Sequence, residues 1–113
     1  HVQAAISYTT GPVFDEAYYC HYAKQLEDAG ADSICIKDMA GLLTPYGTYN
    51  LVKALKETVK IPIQLHSHYT SGLASMVHLK VRAPRRKDGL LTLYYKSRAV
   101  SSKQADYLQF SIA

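Results

Sequence analysis

No stretch of the 113 residues comes near the ~20 consecutive apolar positions of a bilayer-spanning helix, and no charged-then-apolar segment opens the chain. A membrane-spanning or exported protein is therefore not expected, and a cytoplasmic one is. Cysteine is scarce: Cys20 and Cys35 form neither a CxxC pair nor a ligand cluster. That leaves two buried thiols in a reducing compartment as the expectation. An initiator Met is also missing before His1, so the sequence reads as a piece of something longer. Apolar residues, by contrast, make up 48% of the chain, too many for disorder throughout. A chain of this length can build one small domain with a real core, and not two.

The formal charge of +4 is unevenly spread. Residues 1–80 carry six lysines against seven carboxylates, whereas residues 81–113 carry seven Lys and Arg against Asp88 and Asp106. The basic character belongs to the tail, and the two parts behave as separate regions: 1–80 and 81–113.

Three strand–helix units fill the first region. "QAAISYT" (3–9) is β-prone and ends at the turn "TGP". From Phe14 the apolar spacing becomes helical, with Tyr19, Tyr22, Ala23 and Leu26 on one stripe and Gly30 as the stop. "DSICIKD" (32–38) is a second strand, followed by the loop "MAGLLTP". Thr44 is a good N-cap and Pro45 fits the first helical position, where no N–H donor is needed. Leu51, Val52, Leu55 and Val59 then line one face of a helix over 45–59. "IPIQLHSH" (61–68) is the third strand, with Pro62 at its start. A third helix is expected from about Ser71 through "GLASMVHLK". This βαβαβα rhythm implies a parallel sheet, and both a doubly wound sheet and part of a (β/α) barrel satisfy it. In either, ligand chemistry gathers at the carboxyl ends of the strands.

Lys37, His66 and His68 fall at such ends. Strand side chains alternate, so Ile34 and Ile36 share one face of their strand while Cys35 and Lys37 share the other. In the next strand Ile61, Ile63 and Leu65 oppose Gln64, His66 and His68. If the aliphatic faces pack under helices, Lys37 turns toward the same side as both histidines. Two imidazoles at i, i+2 can reach one cation, and imidazole suits zinc, cobalt or manganese. A His-x-His pair is also common in purely structural settings, and an ammonium beside a dication is repulsive. The repulsion disappears if Lys37 is neutral and carbamylated, since a partly buried lysine beside positive charge gives up its proton more readily. The alternative is a salt bridge from Lys37 to Asp38 or another carboxylate. The spacing leaves both open.

"VQAAISYTTGPV", "GADSICIKDMAGLLTPY" and "LHSHYTSGLASM", in this order, resemble the carboxyltransferase domain of biotin-dependent enzymes. That group includes the oxaloacetate decarboxylase alpha subunit, the carboxyltransferase subunit of pyruvate carboxylase and the transcarboxylase 5S subunit. The resemblance covers about residues 2–80 and implies an α/β fold, a fragment of a (β/α)8 TIM barrel with about three βα units, plus an atypical C-terminal tail. It implies that Lys37 is carbamylated and, with His66 and His68, binds a divalent metal (Zn, Mn or Co). It further implies carboxyl transfer between carboxybiotin and pyruvate or oxaloacetate, with biotin carried on a separate domain or subunit. The parent is expected to be a homo-oligomer or part of a multi-subunit complex, touching a membrane only through partner subunits. Asp38 is a candidate for orienting its loop, although a solvated or capping carboxylate is the commoner role, and Tyr8 and Thr9 end the first strand, with core packing favoured for Tyr8. A second barrel group, the isopropylmalate synthases and related lyases, also uses a His-x-His pair, usually followed by Asn-Asp. Here Tyr69 and Thr70 follow. Outside the barrels, a small α/β interaction domain with incidental histidines remains the competing reading.

After Lys80 the resemblance stops in mid-helix, and the chain reads "VRAPRRKDGLLTLYYKSRAVSSKQADYLQFSIA". Residues from about Val81 onward are expected to be a frameshifted continuation, with a genuine divergent tail as the alternative. In the first case another reading frame after codon 80 encodes a family-like continuation. "RAPRRK" beside Tyr94, Tyr95 and Lys96 mixes cations and aromatics as single-strand nucleic-acid surfaces do. The cluster is short and no RNA-binding motif accompanies it, so a solvated basic loop and no nucleic-acid partner are expected. "LLTLYY" is a candidate edge strand. Three units cannot close an eight-stranded barrel, so the polypeptide alone is expected to be inactive and to expose open sheet edges.

Overall fold

The computed structural model describes residues 1–82, the last by its backbone, and the backbone of Leu93–Tyr95 and Tyr107–Ile112. The chain runs β1 (Gln3–Ser7), α1 (Glu16–Asp28), β2 (Ser33–Asp38), α2 (Pro45–Thr58), β3 (Ile63–His68), α3 (Ala74–Arg82), β4 (Leu93–Tyr95) and β5 (Tyr107–Ile112). The "RAPRRK" segment beyond the backbone of Arg82 lies outside the described residues.

Capping chemistry places the helices. The Asp15 carboxylate accepts the Tyr18 N–H at 2.8 Å and closes the first turn of α1. Thr44 Oγ1 accepts the Gly47 N–H at 3.3 Å, with Pro45 directly after the cap, as its missing donor allows. After α1 the chain reverses through Gly30 at φ +94°, in the left-handed region that glycine enters without a Cβ clash. α3 begins at Ala74 rather than near Ser71. The residues between make a turn instead, with the Gly72 N–H donating to Tyr69 C=O at 3.0 Å.

β1, β2 and β3 pair in parallel, with Gln3 opposite Ser33 and Ile34 opposite Ile63. Ile6, Ile34, Ile36, Ile63 and Leu65 from the strands form one core cluster with Tyr19 and Ala23 of α1, Leu51, Val52 and Leu55 of α2, and Val77 and Val81 of α3. All three helices thus cover a single face of the sheet, as in a barrel wall and unlike a doubly wound sheet. Each fully buried Ile or Leu in that cluster contributes about 1.5–3 kcal/mol. Of the stripe expected on α1, Tyr22 is 38% exposed. It joins Phe14 and Tyr18 in an outer aromatic row instead.

The sheet is not purely parallel. Its order is β1-β2-β3-β5-β4, and β5 runs antiparallel to β3, with Ile63 opposite Ile112 and His68 opposite Tyr107. β4, inside "LLTLYY", is the outer strand on that side. The edge of β3 that was expected to stand open is therefore paired. No helix among the described residues is long and apolar enough to cross a membrane.

One long-range tie has a pH signature. Glu27 near the end of α1 accepts the N–H groups of Lys60 and Ile61, at 2.7 and 3.3 Å, where the chain enters β3. The Lys24 ammonium at 2.8 Å, and next the Lys60 N–H, hold the Glu27 carboxyl below its ordinary range. A depressed carboxylate pKa stabilises the fold above the unfolded value, and the contribution is lost as pH falls through the folded one. Amide exchange at Lys60 and Ile61, corrected for intrinsic rates, should therefore accelerate from about pH 5 down to about pH 3. Glu27→Gln should flatten that dependence.

Candidate active site

Parallel pairing sets Ser7, Lys37 and His66 in one row across the carboxyl ends of the three strands. Register partners in a parallel pair project to the same side. Ile36 and Leu65, one position earlier in the chain, are fully buried under the helices. Lys37 and His66 therefore point to the opposite face, together with His68. The two imidazoles lie with ring centroids 5.3 Å apart at an interplanar angle of 50°. Lys37, His66 and His68 are all half-buried. The three residues singled out from the sequence converge.

Burial holds the His66 imidazole below its usual range. Repulsion from His68 and then Lys37 adds to the effect, and Asp38 opposes it. A neutral imidazole is the form that ligates a metal. Cys35, one row deeper on the same face, is buried, which pushes its thiol up, and Lys37 only partly offsets this. A protonated, buried thiol is a poor nucleophile.

Asp38 points the other way. It is 1% exposed, and its two oxygens accept the N–H groups of Leu42 at 3.0 Å and Leu43 at 2.9 Å. It orients the β2–α2 loop and does not pair with its neighbour. Ion pairs among the described residues join Lys24 to Glu27 and to Asp28, and no carboxylate pairs with Lys37. Successive strand residues face opposite sides, which separates Lys37 from Asp38, the first partner considered for it.

Tyr8 stacks on Tyr19 at 5.4 Å and packs against the core, away from the mouth. The Tyr19 hydroxyl accepts the Thr9 N–H at 2.9 Å and donates to Thr9 C=O at 2.8 Å, which fastens the β1–α1 loop to α1. Behind the histidine pair, Ser67 Oγ and His78 Nε2 lie 3.0 Å apart, both buried. This contact escaped the sequence reading, although a signal was there. Ala74, Val77, His78 and Val81 follow i, i+3, i+4, i+7 spacing, which puts His78 on the buried stripe of α3.

Among the described residues no three His, Cys, Asp or Glu side chains form a metal-holding group. The donor set on the mouth face is two imidazoles and one amine. It fits a divalent cation if the amine is converted to an anionic oxygen donor.

The profile of the HMGL-like family matches residues 3–78. A pyruvate carboxylase subunit of Methanocaldococcus jannaschii is 62% identical over 80 residues, covering 71% of this chain and 14% of that protein. The methylmalonyl-CoA carboxyltransferase 5S subunit of Propionibacterium freudenreichii subsp. shermanii is 45% identical over 82 residues, covering 71% and 16%. The solved carboxyl transferase domain of Rhizobium etli pyruvate carboxylase, with pyruvate and biocytin, superposes with a TM-score of 0.68 at 45% identity. That match covers 70% of this chain and 14% of the other. The chain thus spans a small part of the proteins it resembles.

Proposed function

Because the chain belongs to the HMGL-like family, we propose that it is part of a biotin-dependent carboxyltransferase. The reaction moves a carboxyl group between carboxybiotin and pyruvate or oxaloacetate. One observation carries the reading: Lys37 stands in register with His66, and His68 lies beside it on the same face. Similarity to carboxyltransferases, one solved with pyruvate and biocytin, supports the substrate and cofactor class.

His66, His68 and a carbamylated Lys37 would hold the divalent cation. The carbamate forms when the Lys37 ammonium gives up one proton, the freed Nζ lone pair adds to CO2, and a second proton leaves the nitrogen, turning a cation into an anionic oxygen donor. Burial keeps His66 neutral and so available as a ligand at neutral pH. A bound divalent cation would supply Lewis-acid stabilisation of the negative charge that develops on the keto oxygen. Biotin arrives from a separate carrier domain or subunit at the open ends of the strands. Asp38 contributes from behind, fixing the loop that follows Lys37.

In this reading the 113-residue chain is inactive alone, since the described strands form an open sheet rather than a closed barrel. The test uses the full-length protein that carries this segment. Pyruvate should form from oxaloacetate faster when free biotin is added, and His68→Ala should remove the biotin-dependent part. A rate indifferent to biotin overturns the proposal.

A further inference from the structure

We infer that Gly41 is a positioning residue that joins the two loops at the mouth into one rim. Gly41 has φ +70°, and a Cβ there would lie 3.1 Å from Ser71 N, 3.3 Å from Ser71 Oγ and 3.3 Å from Thr70 Cβ. The β2–α2 loop therefore rests on the β3–α3 loop, with nothing larger than a hydrogen between them. Each loop is also fastened on its own side. Asp38 grips the N–H groups of Leu42 and Leu43, and the Gly72 N–H closes a turn on Tyr69 C=O. The circuit closes through the strands, where Lys37 pairs with His66 and Asp38 with Ser67. Movement of the loop that follows Lys37 must then carry the loop that follows His68.

Two other glycines serve as internal controls. Gly72 at φ +72° and Gly30 at φ +94° have nothing within 4 Å of an added Cβ. Alanine at any of the three bears the left-handed backbone penalty. At Gly41 alone it must also push two loops apart. A consequence for metal binding rests on the carboxyltransferase reading above, whereas the coupling of the loops does not.

The experiment compares Gly41→Ala, Gly72→Ala and Gly30→Ala by amide exchange in the full chain and by cobalt(II) dialysis of the full-length protein. Gly41→Ala should accelerate exchange at Leu42, Leu43 and Gly72 together, with Gly72→Ala affecting its own turn and Gly30→Ala neither loop. Cobalt affinity should fall about tenfold in Gly41→Ala relative to Gly72→Ala, the scale on which supporting contacts tune metal sites. Acceleration confined to residues 39–44 overturns the coupling, and equal cobalt affinity in the two variants overturns the positioning role. If Gly41→Ala does not fold, Ser71→Thr thickens the same seam from the other loop while keeping the hydroxyl, and should accelerate Leu42 and Leu43. Absence of cobalt binding in every protein, the unsubstituted one included, overturns the metal reading, and exchange still decides the coupling.

Discussion

Lys37→Ala in the full-length protein should lose its bound divalent cation and lower biotin-dependent carboxyl transfer by roughly 10²–10³-fold or more, the scale for removing one preorganised electrostatic group. The side chain sits between Ser7 and His66 in the row at the strand ends, half-buried, with no carboxylate among the described residues paired to it. As a plain ammonium it would repel a cation held by His66 and His68, so its removal should then tighten metal binding. As a carbamate it supplies the anionic ligand, so removal should weaken binding. The two chemistries predict opposite signs, and metal content measured on the purified variant separates them. Lys37→Arg should behave like Lys37→Ala, because a guanidinium stays protonated and does not add CO2. Added acetate should partly restore metal to Lys37→Ala, since a small carboxylate can enter the space the carbamate left, and should do nothing for Lys37→Arg. Metal retained at full occupancy in Lys37→Ala would sink the assignment.

The convergence behind that prediction was legible in the sequence because it depends on the shortest-range rule available, the two-residue alternation of a strand. Ile34 and Ile36 against Cys35 and Lys37, then Ile63 and Leu65 against Gln64 and His66, fix the faces once helices cover the aliphatic side. Leu51, Val52, Leu55 and Val59 are all buried, as helical spacing required. Tyr22 departs because a helix on a sheet buries only one stripe, and a row spaced by four (Phe14, Tyr18, Tyr22) is satisfied by its own ring contacts at the surface. β5 was not legible as a partner of β3, since the periodicity of "YLQFSI" does not say which edge it finds. Strand–helix rhythm alone left barrel and doubly wound sheet open, because the choice depends on whether α1, α2 and α3 cover the same face; the family resemblance pointed to the barrel, and the single covered face agrees with it. Gly41 was visible only as part of a loop, and its role depends on a second loop some 30 residues further on.

Asp38→Ala should destabilise the 113-residue chain by about 3 kcal/mol, a large share of a small domain's stability. The carboxylate is 1% exposed, and its two oxygens satisfy two backbone donors, on Leu42 and Leu43. Leu43 is itself 2% exposed and belongs to the core cluster. Its N–H cannot turn to water without pulling an apolar side chain out of the interior. Bonds to a charged acceptor are each worth about 1.5–3 kcal/mol, and the orphaned N–H groups carry a desolvation cost that an apolar replacement does not relieve. Asp38→Asn should fall between the parent and Asp38→Ala. It keeps one acceptor oxygen but sets an NH2 donor against an N–H donor. Urea unfolding should show the midpoint falling in the order parent, Asn, Ala with an unchanged m-value. If Asp38→Ala unfolds within about 0.5 kcal/mol of the parent, as an ordinary surface substitution does, the carboxylate is not what holds the loop. The same substitution also tests the division of labour at the strand end. Lys37 and Asp38 are adjacent in sequence and face opposite sides, so one defect should register first in metal content and the other first in the unfolding curve.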